Sequence, residues 1–139
     1  MRLIAAVFDT NILLSGVGWR GSPYRCLELA RAGIVEGLTC RELLDELVEK
    51  LQAKLNFSAI QVADTIADLL GFLRVVIITN TLKAVNTDPD DDKVLECAVV
   101  GGATHIVTGD RRHLILLGSY HGIPIVTATD FLALVAEQM

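Results

Sequence analysis

Two apolar patterns alternate along the chain. Leu3 to Phe8 is an unbroken apolar run that suits a strand buried on both faces, and Val75 to Ile78, His105 to Thr108 and Ile123 to Thr127 repeat it. Ile34 to Thr39 is a weaker fifth candidate, interrupted by Gly37. Between these runs the spacing is helical. Arg41 to Leu55 puts Leu44, Leu47, Val48, Leu51 and Leu55 on one stripe. Ser22–Pro23 offers an N-cap and a first-turn proline for a helix to about Ala32, which Gly33 ends. Ser58 caps a helix to about Phe72, Asp91 to Val100 forms another that stops at Gly101–Gly102, and Thr129 to Met139 closes the chain. Strands alternating with helices over short loops predict a three-layer α/β/α sandwich. Its central sheet is mainly parallel, with about five strands, in a single domain over residues 1–139.

Composition narrows the class. Of 139 residues, 52% are apolar and 21% charged, which fits a tightly packed soluble domain and excludes a disordered chain. No apolar run approaches the roughly 18 residues of a membrane helix, and the N-terminus shows no cleavage site, so a cytoplasmic protein without a membrane partner is expected. Cys26, Cys40 and Cys97 are an odd number without paired spacing, which points to reduced core thiols and away from a disulfide framework or a zinc site. The net charge of -5 counts against a strong non-specific nucleic-acid binder, although basic residues gather at Arg20, Arg25, Arg31 and Arg111–Arg112–His113.

In an open parallel sheet, ligands bind beyond the carboxyl ends of the strands. The first strand ends in Asp9-Thr10-Asn11, and Thr108-Gly109-Asp110 follows the run His105-Ile106-Val107. Asp9 and Asp110 are therefore placed at the sheet edge, where each also suits a helix N-cap. Asp88, Asp90, Asp91 and Asp92 crowd the start of a helix. One or two acids there complement the helix dipole; four repel one another unless a cation is present. Carboxylates alone favour hard ions such as Mg²⁺ or Mn²⁺. Glu46 lies with Glu42 and Glu49 opposite the leucine stripe, and periodicity does not choose among the three. His105, His113 and His121 show no ligand spacing, and Trp19, in a glycine-rich loop, suits either packing over the sheet edge or stacking on a base.

Taken in order, five stretches resemble the PIN-domain family, specifically bacterial and archaeal members regarded as toxins of toxin–antitoxin systems. They are Val7-Phe8-Asp9-Thr10-Asn11-Ile12-Leu13, Arg41 through Leu47, Asp90 through Ala98, His105 through Asp110, and Gly122 through Thr127. The resemblance implies a Mg²⁺- or Mn²⁺-dependent ribonuclease acting on single-stranded RNA. Asp9, Glu46, Asp91 and Asp110 are then the catalytic and metal-binding acids, with Asp90 or Asp92 as substitutes should the register at Asp91 shift by one. Asn11 and Thr108 are the polar residues that orient those carboxylates. It further implies a cognate antitoxin and a homo-oligomer, dimer or larger. Cys40 occupies a position where the family usually has a capping Ser, with Thr39 adjacent as a substitute. His113 replaces an acid found in many relatives. Two other readings stay open: a phosphatase of the haloacid dehalogenase type, which would want an Asp where Asn11 stands, and a catalytically silent PIN-like binding module.

Overall fold

The computed structural model describes residues 3–84, 89–109 and 113–139. Along the chain come β1 (Ala5–Phe8), α1 (Thr10–Gly18), α2 (Ser22–Arg31), β2 (Glu36–Thr39), α3 (Arg41–Leu55), α4 (Ala59–Leu70) and β3 (Leu73–Val75). After them come α5 (Pro89–Gly101), β4 (His105–Val107), α6 (Leu114–Leu117), β5 (Ser119–Tyr120), β6 (Ile123–Val126) and α7 (Ala128–Gln138). The strands form one sheet in the order β3-β2-β1-β4-β6-β5. All neighbours are parallel except β5 and β6.

Alternation along the strands divides the core. Ala6, Phe8, Leu73 and Val107 point to one face, where they meet α1, α2, α4, α7 and the leucine stripe of α3. Val7, Leu38, Ile106 and Ile125 point to the other, against Val94, Leu95, Cys97 and Ala98 of α5 and Leu114 of α6. This is the three-layer α/β/α sandwich expected, with six strands instead of about five. The extra strand, β5, is two residues long and joins β6 through a tight antiparallel turn, too short to leave an alternating pattern. Gly37 does not weaken β2. A Cβ there would lie 2.5 Å from Leu73 Cδ2 and 3.2 Å from Phe8 Cε2, so the missing side chain is filled by neighbours.

Several boundaries move for local reasons. The apolar run Val75–Ile78 is a strand only at its first residue, because β2 ends at Thr39 and leaves the later ones little to pair with; Val76 N–H still reaches Thr39 O at 2.7 Å. Ser22 is the first helical residue of α2, and Gly21 holds the cap position. Thr39 does not cap α3: it ends β2, fully buried, and its hydroxyl makes no hydrogen bond among the described residues. Cys40 takes the cap position without a side-chain capping bond. By contrast Ser58 and Gln61 form a reciprocal capping box at the start of α4. No described helix is long and apolar enough to cross a membrane.

Candidate active site

The chain lays β1, β2 and β3 outward in one direction, then returns to place β4 on the other side of β1. The strand order therefore reverses between β1 and β4, and a crevice opens beyond their carboxyl ends. Phe8 pairs with Val107 in the parallel ladder, so the next residues, Asp9 and Thr108, meet at that crevice. The Asp9 N–H donates to Val107 O at 3.1 Å and continues the ladder by one bond. Asp9 is only 5% exposed. Its Oδ1 accepts the Ile12 N–H at 2.9 Å, which caps α1, and its Oδ2 accepts the Thr108 hydroxyl. The cap reading and the site reading of Asp9 thus coexist, one on each oxygen. Thr108 is itself fully buried, which fixes the direction of its hydroxyl.

Glu46 reaches the same region from α3. Of the acids on that helix Glu42 and Glu46 are half-buried, while Asp45 and Glu49 are exposed. Lys93 of α5 makes an ion pair with Glu46 Oε2, and Lys50, one turn along α3, approaches Oε1 at 3.5 Å. Lys50 also donates to Asn11 Oδ1 at 3.0 Å, so the residue two places after Asp9 is tied to the α3 acid through one ammonium group. Burial disfavours ionisation of Glu46, but the bond and charge of Lys93, the Thr10 hydroxyl and the charge of Lys50 outweigh it and hold the carboxyl below its usual range. Glu42, a turn earlier, is lowered first by the Asn80 side-chain amide, which donates to its Oε2 at 2.8 Å.

Asp90, Asp91 and Asp92 lie in the first turn of α5. Asp90 faces an open cleft of about 570 Å³ shared with Glu42, Asp45, Glu46, Glu49, Lys50 and Lys93. Asp91 is half-buried, with one carboxylate oxygen wholly covered. Asp92 accepts the Ala84 N–H at 3.2 Å. Asp110 lies outside the described residues. The structure therefore joins Asp9 to Thr108, ties Asn11 to Glu46 through Lys50, and puts Lys93, two residues after Asp91, against Glu46.

The donors here suit a hard divalent ion in kind: every acid is an oxygen ligand, and the cleft carries five carboxylates against two ammonium groups. Among the described residues, however, no three Asp, Glu, His or Cys side chains converge as a cation site. The three cysteines are buried free thiols. Burial pushes the Cys26 thiol up to about 12, and a hydrogen bond with Cys40 together with burial pushes Cys97 up. Burial lowers the His105 imidazole, which packs edge-on to Phe131.

Lys50 and Lys93 take part in this network without having been singled out from sequence. Lys50 was legible at i+4 from Glu46; Lys93 was not, since its partner is on another helix. Glu96 was also missed. It is 4% exposed and accepts the N–H groups of Thr79, Asn80 and Leu82 at 2.8, 2.9 and 2.9 Å. Those bonds fasten the segment that carries Asn80, the partner of Glu42, to α5. Burial works against the Glu96 charge, but the three backbone donors prevail and hold its carboxyl low.

A doubly wound sheet with a buried acid at its switch point and an acid-lined cleft beside it defines a class of α/β domains with a site at the carboxyl edge. Residues 5–112 match the family model described as PIN domain, and the chain belongs to that family, whose members are generally nucleases that use divalent metal ions. Three solved structures share the fold. PAE2754 from Pyrobaculum aerophilum has a TM-score of 0.63 at 13% identity, covering 97% of each chain. VapBC2 from Rickettsia felis, in a structure bound to a DNA fragment from their promoter, has a TM-score of 0.61 at 17% identity, covering 89% of this chain and 98% of the other. The PIN domain of T. brucei RRP44 has a TM-score of 0.56 at 14% identity, covering 98% and 83%. A comparison with curated proteins finds no match.

Proposed function

We propose that this PIN-domain nuclease hydrolyses phosphodiester bonds of single-stranded RNA with a Mg²⁺ or Mn²⁺ ion held by Asp9, Glu46, Asp91 and Asp110. The observation that carries the reading is the buried Asp9 carboxylate at the strand-order reversal, oriented on both oxygens, with Asn11, two residues on, tied through Lys50 to Glu46. When bound by these acids, a divalent ion supplies an activated water and stabilises charge developing on the phosphate. The remaining roles belong to the chain. Thr108 fixes the Asp9 carboxylate, Asn11 fixes Lys50, and of the acids beside Asp91, Asp90 lines the cleft while Asp92 accepts the Ala84 N–H. No Ser or Cys nucleophile paired with a base is needed.

The test is direct. Purified protein with Mn²⁺ or Mg²⁺ should cut single-stranded RNA, stop in EDTA and resume on metal addition, while Asp9→Asn should remove both cleavage and metal binding. The reading is lost if no cleavage occurs at any divalent concentration and Asp9→Asn leaves metal binding unchanged. A matched DNA substrate settles nucleic-acid preference.

We assign the protein further as the toxin of a cytoplasmic toxin–antitoxin pair and as a homo-oligomer, dimer or larger. The fold shared with the Rickettsia VapBC2 complex supports the first assignment. Co-expression with the protein encoded beside it should give a stable complex that suppresses RNA cleavage. Light scattering of the isolated chain measures the oligomer.

A further inference from the structure

Lys93 plays no part in the reaction proposed above, and its position asks for a reason. Its side chain is 17% exposed and crosses from α5 to the α3 acid Glu46. Lys50 already approaches the other oxygen of Glu46 at the i+4 spacing that many surface helices use. One carboxylate thus carries two ammonium groups from two helices. A half-buried lysine loses much of its hydration and is stable only beside a counter-charge.

We infer that Lys93 is a resident cation that competes with the divalent ion for Glu46, so that metal binding is an exchange of an ammonium group for the ion. This rests on Glu46 being a metal ligand, as proposed above. The charge pattern gives the physical case. The cleft gathers Glu42, Asp45, Glu46, Glu49 and Asp90, which repel one another in the metal-free protein. Lys93 relieves that repulsion and holds α3 and α5 together at their acidic ends. The same ammonium repels an incoming dication and occupies one of the two Glu46 oxygens. Lys93 therefore serves the metal-free fold at the expense of metal affinity, and on exchange it is freed within a cleft that has to admit a polyanion.

Mn²⁺ affinity measured by calorimetry on the full chain tests this, with thermal melts beside it. Lys93→Met should bind Mn²⁺ tighter by on the order of tenfold. Lys93→Gln should do the same, which covers a misfolded methionine variant. Lys93→Arg, which keeps the charge, should stay within about twofold of wild type. In a Glu46→Gln background, Lys93→Met should bring no gain, because the contested ligand is gone. The metal-free melting temperature should fall in Lys93→Met and rise more on Mn²⁺ addition than in wild type. Unchanged or weaker Mn²⁺ binding in both neutral variants, or equal tightening in Lys93→Arg, overturns the inference while leaving the nuclease reading intact. If neither wild type nor the neutral variants bind Mn²⁺, the metal cluster itself fails and the inference goes with it.

Discussion

The hydroxyl of Thr108 donates to Oδ2 of Asp9 across the seam between β4 and β1. The two residues are 99 positions apart, and the contact follows from a ladder that pairs Phe8 with Val107. It joins the two halves of the sheet at the point where a ligand would sit.

Removing that hydroxyl should act on activity and stability together. Thr108→Val deprives a buried charged oxygen of a donor, at a cost of about 1–3 kcal/mol in urea unfolding. RNA cleavage should drop about 10–100-fold, as is usual when a group orienting a metal ligand is lost. Asp9→Asn separates the two effects. Asparagine still caps α1, so stability should change by less than about 1 kcal/mol, while cleavage should fall by on the order of a hundredfold or more. A stable, fully active Asp9→Asn protein contradicts the site.

Glu96 should make the fold acid-sensitive. Its carboxyl is held low in the folded state, mainly against burial, by the Leu82, Asn80 and Thr79 N–H groups. Its contribution is complete above the unfolded glutamate value of about 4.3 and is lost as pH falls through the lower folded value. Glu96→Gln should cost about 1–3 kcal/mol at neutral pH. The deficit should shrink on acidification, because the wild type then protonates while glutamine does not. Urea midpoints at pH 7 and pH 3 check this; equal differences at both would rule it out.

Phe131 anchors α7 to the sheet. It is fully buried and meets Phe8 edge-to-face with ring centroids 6.1 Å apart. Phe131→Ala should destabilise the protein by about 3–5 kcal/mol. Since the ring touches Phe8, the residue before Asp9, a partly folded variant should also lose cleavage; equilibrium unfolding with a matched activity assay reads both.

Gly37→Ala should be costly for the opposite reason, too much volume. The new methyl meets Leu73 and Phe8 below ordinary contact distance. A loss of about 1–3 kcal/mol in denaturant unfolding is expected. A neutral result would mean that Leu73 can swing aside.

Much of the layer order was legible because it depends on local periodicity. Arg41–Leu55 has a polar face and a leucine stripe, and α3 has those same bounds. Helix α1 escaped because Thr10, Ile12, Leu13, Leu14 and Gly16 are all buried, leaving no polar face to mark a helix. Helix α6 and strand β5 span four and two residues, shorter than any period needs. In the site, Asp9 could be placed from a strand end alone, whereas Thr108 was singled out by the family resemblance. Glu46 could not be told from Glu42 and Glu49, because what distinguishes it is Lys93 on another helix. Glu96 looked like one more acid on a charged helix; its three backbone partners come from a loop 14 to 17 residues earlier.

The separation of Asp9 from Thr108 also sets an order of events during synthesis. The first seventy-five residues carry the sequences of β1 to β3, Asp9 and Glu46, but β4 must dock between β1 and β6 before the crevice has its second wall. Such a distant pairing forms late, once the loop that closes it has left the ribosome. A growing chain therefore passes most of its translation with half a site. In a PIN-domain protein built this way, the two walls of the crevice come together only when the later part of the chain is present.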